Sequence, residues 1–254
     1  MNPLLSSTSM RFSVVIPARN EEMLLPRLLD TVEAARQAYR GGAERVEVVV
    51  ADNVSTDRTA EVARARGALV VSVEKRVIGA VRNGGAREAR GEVLVFVDAD
   101  IRIHHGTFDA IDAIDAALAT DRVVGGATGV RLERMSAGLA VTYACLMPMV
   151  WLMRMDTGPT FCLKADFEAI GGYDESLLVA EDVALLFALK RLGRPRGQRL
   201  TRLRSAKAIA SVRKFDAYGD WHYFRLAPAV ALEMLHSGQK GSRFLDRYWY
   251  GDVR

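Results

Sequence analysis

Four short runs of β-branched and apolar residues recur across the first hundred positions: FSVVIP (12–17), RVEVVVA (45–51), ALVVSV (68–73) and EVLVFVD (92–98). Runs that are apolar throughout, rather than alternating, belong to strands covered on both faces. Between them lie stretches with helical spacing. Segment 22–39 places Leu24, Leu25, Leu28, Leu29, Val32 and Ala35 on one side, and segments 56–66 and 79–90 follow the same rule. This alternation predicts an α/β fold: a mostly parallel central sheet with helices on both faces and right-handed crossovers. Sheets of this kind bind ligands beyond the carboxyl ends of their strands. Chemistry is therefore expected just after Pro17, Ala51 and Val97.

The rest of the chain is less regular. Its pattern predicts helices at 111–119, 166–170 and 181–192, strands at 122–132 and 159–164, and a helix at 220–236 broken near Pro228. Gly171 and Gly172 stop the second of these helices, and Gly193 and Pro195 the third. No internal repeat and no long linker divides the sequence. The expected organisation is a tail (1–11), one domain (12–215, with halves 12–103 and 104–215) and a helical C-terminal extension (216–254).

The strand ends carry most of the candidate chemistry. ARNEE follows the first strand; Asn20 is placed to cap the next helix and Glu21 and Glu22 to meet its dipole, whereas Arg19 has no capping role. ADNVSTDRT follows the second; Ser55 or Thr56 suits a cap, and Asp52 lies too early for one. Asp98 and Asp100 follow the fourth, with only Ala99 between them. Residues two apart on a strand share a face. The pair therefore predicts two carboxylates on one side of a strand end, a donor set for Mg2+ or Mn2+ shared with a substrate's phosphates. A solvated turn is the plain alternative. Glu181 and Asp182 open a later amphipathic stretch, where acids also serve the helix dipole alone. Segment 79–85 (GAVRNGG) lacks the GK[ST] ending of a P-loop, and no GxGxxG follows the first strand. ATPase and dinucleotide-dehydrogenase readings fail at those defining residues.

Charge adds one feature. The formal net charge is +4, yet residues 190–214 hold ten Lys or Arg and no acid, so the remainder is net acidic. A basic block meets phosphates or anionic lipid, or is simply a solvated face. No aromatic residue interrupts it before Phe215, which argues against single-stranded nucleic acid as a partner. Cys145 and Cys162 match no zinc spacing and no CxxC, as expected of reduced thiols in a cytoplasmic protein. MNPLLSSTSMR has no charged leader and no long apolar run, so no signal peptide is expected. Residues 135–153 are uncharged throughout and long enough to be weighed as a membrane span.

Taken together, four segments resemble family 2 glycosyltransferases of the GT-A fold: VVIPARNEE, VVVADNVSTDRTAEVA, VRNGGAREARGEVLVFVDAD with its DxD, and FEAIGGYDESLLVAEDVALLFALKRLGR. They occur in the family's order and spacing over roughly 12–200, and SVRKFDAYGDW is a looser match. The resemblance implies that 12–103 is a nucleotide-binding half and 104–215 an acceptor half. It implies that Asp52 reads the nucleotide base, usually uracil, and that Arg82 lies beside the base or diphosphate. Asp98 would lie near the ribose and Asp100 on the metal. Pro17, Arg19 and Glu21 would line the nucleotide, and Asp182 would act as catalytic base with Glu181 beside it. Asn53 departs from the family's second Asp, which leaves the base preference open.

The reaction implied is transfer of a sugar from a nucleotide-diphosphate sugar, UDP favoured, to an acceptor hydroxyl with inversion. A divalent cation offsets charge on the leaving diphosphate, and a carboxylate removes the acceptor proton. His222 is a further candidate for the metal, against the plainer reading of a packed histidine. A span at 135–153 would split the two halves across a membrane, and Pro148 interrupts it. A buried or homodimer-interface helix, and a surface touching the inner face of the membrane or a lipid-linked acceptor, remain open. Two rivals are a non-catalytic nucleotide-sugar-binding module, which needs no Asp182, and a nucleotidyltransferase. The latter wants a Gly-rich basic signature after the first strand, which ARNEE lacks.

Overall fold

The computed structural model describes residues 9–104, 106, 109–153, 156, 158–222 and 224. Most of the helix expected at 220–236 and of the extension at 216–254 lies outside them, as does much of the 1–11 tail.

The first half alternates as its sequence predicts. Strand β1 (Phe12–Ala18), helix α1 (Leu25–Ala38), β2 (Val46–Asp52), α2 (Thr59–Ala65), β3 (Leu69–Ser72), α3 (Ile78–Glu88) and β4 (Val93–Phe96) follow in order. The second half continues with β5 (Ile101–Ile103), α4 (Ala110–Leu118), β6 (Val123–Leu132), α5 (Ala137–Met153), β7 (Thr160–Leu163), α6 (Lys164–Ala169), α7 (Glu181–Gly193), β8 (Arg199–Ala210) and α8 (Arg213–Tyr218). All eight strands join one sheet in the order β3-β2-β1-β4-β7-β6-β8-β5. β1 pairs parallel with β2 and β4, β2 with β3, and β6 with β8. β7 runs antiparallel to β4 and β6, and β5 antiparallel to β8. All but β7 and β5 therefore point one way.

Every residue of β1 is buried, as a strand apolar on both faces must be. Val14 and Ile16 face a core shared with Leu28 and Val32 of α1, while Val15 faces one shared with Leu186 and Leu189 of α7. Helix α3 packs on β1 and β2. It comes very close: a Cβ at Gly85 would sit 2.6 Å from a Val15 methyl. The paired glycines of GAVRNGG serve this packing, not a phosphate loop.

Three sequence expectations are corrected. β4 stops at Phe96, so Asp98 and Asp100 lie not on a strand but in a turn closed by Ile101 N–H donating to the Asp98 carbonyl at 3.0 Å. The basic block at 190–214 is not one solvated face, because nearly half of it is β8, a long strand between β6 and β5. Leu200, Ala206 and Ala208 are buried while Arg204 and Lys207 are exposed, so charge count hid a strand. Pro148 does not interrupt α5, which runs through it. No helix among the described residues is long and apolar enough to cross a membrane.

Candidate functional site

The loops leaving β1 and β2 are stitched to each other. Asn20 N–H donates to Ser55 Oγ at 2.9 Å, and Thr56 N–H donates to Asn20 Oδ1 at 2.6 Å. Glu21 N–H donates to Thr59 Oγ1 at 2.7 Å. The capping roles expected of Asn20, Ser55 and Thr56 are not the ones observed: α1 and α2 start at Leu25 and Thr59 without a side-chain cap. Asp57 Oδ1 instead accepts the Thr59 amide at 3.0 Å. Asn20 and Val54 hold left-handed backbone, φ 48° and 52°. For a β-branched residue such as Val54 this is a genuine outlier, and strain of about 1–3 kcal/mol at such positions gathers at functional loops.

Asp52 closes β2 and is 7% exposed. Its Oδ2 accepts from Ser55 N–H at 3.3 Å, whereas its buried Oδ1 has no hydrogen-bond partner among the described residues. Asn53 donates its amide to the carbonyls of Val73 at 2.6 Å and Lys75 at 3.2 Å. A carboxylate cannot donate, so the departure at this position has a structural cause: Asn53 holds the loop after β3. Pro17 lies near the end of β1 opposite Ala51, and Arg19, half-buried, follows the strand's last residue, Ala18.

Arg82 is the hub of the site. It rises from α3, 4% exposed. Its Nη2 donates to Asp98 Oδ1 at 2.7 Å and its Nη1 to Glu181 Oε1 at 2.8 Å, with Asp182 Oδ1 at 3.2 Å. The guanidinium also lies 5.1 Å from the centre of the Tyr173 ring. Burial alone would weaken its charge, but Asp182 and Asp98, with Tyr173 and Glu181, together outweigh this and hold it fully protonated. One arginine thus joins the turn after β4 to the first turn of α7. Ala180, directly before Glu181, is again left-handed at φ 60°.

Asp182 is pushed up to about 6. Burial is the largest cause, and Glu181 and Asp98 add to it, while Arg82 and the Tyr173 hydroxyl oppose it. Tyr173 O–H donates to Asp182 Oδ1 at 2.9 Å.

A second arginine crosses from the C-terminal side. Arg213 donates to both Glu21 oxygens at 2.7 and 3.0 Å and lies 3.4 Å from Asp100 Oδ2. Asp100 and Asp98 remain partly open, with 28% and 46% of their side-chain surface exposed. His222 is 4% exposed and lies against the Phe215 and Tyr218 rings, with Nδ1 2.7 Å from the Gly219 carbonyl. It is not brought into a cage with the two aspartates: among the described residues no three His, Cys, Asp or Glu side chains converge as a metal site.

The structure thus gathers Arg82, Asp98, Glu181 and Asp182 in one cluster, and Glu21, Asp100 and Arg213 in another. Sequence alone does not single out Arg213 or Tyr173. The Arg213–Glu21 link spans 192 positions, and only the loose likeness of SVRKFDAYGDW pointed at it. Tyr173 leaves no local mark, because the partner of its hydroxyl, Asp182, is reached only on folding.

Residues 13–135 match Glycosyl transferase family 2. A 4,4'-diaponeurosporenoate glycosyltransferase of Staphylococcus haemolyticus is 37% identical over 125 residues, 46% of this chain and 31% of the relative. A dolichyl-phosphate beta-glucosyltransferase of Drosophila melanogaster is 34% identical over 125 residues, 45% of this chain and 38% of the relative. The matched segments thus span about a third of those relatives' length. Among solved structures, glucosyl-3-phosphoglycerate synthase from Mycobacterium tuberculosis, in complex with Mn2+, UDP and glucosyl-3-phosphoglycerate, superposes with a TM-score of 0.55 at 19% identity. The match covers 86% of this chain and 79% of that one, which establishes a shared GT-A fold.

Proposed function

Residues 13–135 belong to glycosyl transferase family 2, and from that premise we propose that this protein moves a sugar from a nucleotide-diphosphate sugar, UDP favoured, to an acceptor hydroxyl with inversion. The observation that carries the reading is Arg82, which ties the turn bearing Asp98 to the helix end bearing Asp182. Donor and base sides of a transfer reaction would meet there. Asp182, raised to about 6, is tuned toward neutral pH as a general base should be. Glu181 is occupied by Arg82. With Asp182 the more open of the two acids and no second nucleophile placed beside it among the described residues, a single displacement is favoured.

Asp52 would read the base through its unpartnered buried oxygen. Asp98 and Asp100, partly open and oxygen-only, fit a hard divalent cation held together with the donor's phosphates. Bound there, Mg2+ or Mn2+ would offset charge on the departing diphosphate. Arg213 neutralises the same carboxylates from the protein side. A solved relative of this fold binds Mn2+ with UDP, in keeping with both assignments. A lipid-linked acceptor is favoured by the exposed apolar residues of α5 and by the dolichyl-phosphate of the Drosophila relative's name.

The test is a thermal-shift panel of UDP-, GDP-, CDP- and dTDP-sugars with Mn2+, followed by release of nucleotide from the best binder. Stabilisation by UDP-sugars and turnover that depends on Asp182 are expected. No stabilisation by any of them would remove the donor reading. Binding with no turnover would leave a nucleotide-sugar-binding module.

A further inference from the structure

Both contacts that hold Asp182 fall on the same oxygen. Tyr173 O–H donates to Oδ1 at 2.9 Å, and Arg82 Nη1 lies 3.2 Å from it. Oδ2 has no hydrogen-bond partner among the described residues, while 39% of the side-chain surface is open. The carboxylate is therefore clamped by one atom and presents the other.

Tyr173 is itself fixed. It is 2% exposed, with its ring edge-on to Phe96 at 5.0 Å and to Phe167 at 5.9 Å. Its backbone N–H donates to Asn83 Oδ1 at 2.9 Å, and Asn83 Nδ2 returns a bond to the Tyr173 carbonyl at 3.0 Å. Gly172, left-handed at φ 74°, lets the chain turn into this position; a Cβ there would meet Asn83 Oδ1 at 2.7 Å. The hydroxyl has a second neighbour, Thr160 Oγ1 of β7, at 3.2 Å. An ionised carboxylate only accepts, so the single Tyr173 proton goes to Asp182 and the Thr160 hydroxyl donates to Tyr173. The result is a directed chain from Thr160 through Tyr173 to Asp182. Packing needs only the ring; the hydroxyl's contacts are Thr160 and Asp182.

We infer that Tyr173, backed by Thr160, is a positioning residue: it anchors Oδ1 of Asp182 so that Oδ2 faces the acceptor hydroxyl and takes its proton. This rests on Asp182 being the base proposed above. The hydrogen bond also stabilises the charged carboxylate. Its removal leaves Arg82 from α3 as the main opposing charge against Glu181 on the same helix and Asp98 in the turn after β4.

The experiment compares wild type with Tyr173→Phe, which keeps the ring. Asp182 is titrated in the full-length protein by carboxyl 13C NMR, its resonance assigned by its loss in Asp182→Asn. Hydrolysis of UDP-glucose with Mn2+ is followed in parallel. Tyr173→Phe is expected to raise the Asp182 titration by about half a unit or more, since a lost hydrogen bond disfavours the charged form. It should also lower kcat about tenfold at unchanged donor KM. Thr160→Val should move both in the same direction by less. An Asp182 titration unmoved in both variants would overturn the inference. So would a fall in kcat matched by an equal loss of UDP affinity or of thermal stability. Absence of UDP-glucose turnover in wild type would instead count against the functional reading, and the titration would still decide the hydrogen bond.

Discussion

At the scale of single residues, Asp182 and Arg82 are bound to each other but fail differently. Asp182→Asn keeps the shape and the Oδ1 acceptor yet loses basicity. Turnover is expected to fall by about 10² or more, the usual scale for losing a general base, with donor affinity nearly unchanged, as steady-state kinetics and UDP titration would measure. The sign of the pH dependence follows from the upward shift. The base works only when ionised, so kcat/KM should fall as pH drops through about 6 and be flat above it, until another group titrates. A limb near 4 would mean that another carboxylate carries the proton. Arg82→Met removes the buried guanidinium that bridges Asp98, Glu181 and Asp182, of which only Glu181 is largely enclosed, at 12% of its side-chain surface. Asp98 and Asp182 stay hydrated on their open sides, so the loss read from urea melts should fall below that of a fully buried broken pair, about 3–5 kcal/mol. Asn53→Asp faces two carbonyls with a carboxylate, and should lose stability on the scale of about 1–3 kcal/mol for unmade buried hydrogen bonds.

At the scale of elements, α5 stands apart. Its exposed residues Ala137, Ala140, Val141, Ala144, Cys145 and Pro148 recur at helical spacing, while Leu139 and Thr142 are buried. An apolar stripe therefore faces outward. Exposed Arg204 and Lys207 belong to β8, which pairs with β6, the strand that leads into α5. Each basic residue close to an anionic surface contributes about 1 kcal/mol, and only a few can reach one plane. The protein is expected to sediment with anionic liposomes at low salt, to release at high salt, and to lose binding in Val141→Glu. A stable dimer by sizing with no liposome binding at low salt would assign the stripe to a second copy and favour a soluble acceptor.

At the scale of the whole molecule, the two carboxylate clusters join elements far apart in sequence, so a ligand bridging them should stabilise the entire fold. With UDP and Mn2+ at about a hundredfold over Kd, linkage contributes about 2.7 kcal/mol. That corresponds to a Tm increase of roughly 5–10 °C for a domain of this size. Excess EDTA should abolish most of the shift and the turnover; full retention of both would take the metal out of the reaction. How much of this was legible beforehand differs by region. The parallel half and its strand ends followed from local pattern alone, because a strand buried on both faces must be apolar throughout. The resemblance named Asp52, Arg82, Asp98 and Asp182 residue by residue. The turn at Asp98–Ile101 was not legible, since the hydrogen bond that closes it leaves no mark in residue type. β8 was hidden because burial of alternate small residues is a property of its neighbours β6 and β5. The Glu21–Arg213 pair and the Tyr173–Asp182 bond join positions on separate elements. Sequence determined which side chains this protein owns and the alternating strands and helices of its first half, because those depend on local periodicity and composition. Only the tertiary structure decided which carboxylate each arginine holds and which oxygen of Asp182 is left open, because a hydrogen bond depends on distance and direction between chains that meet only after folding.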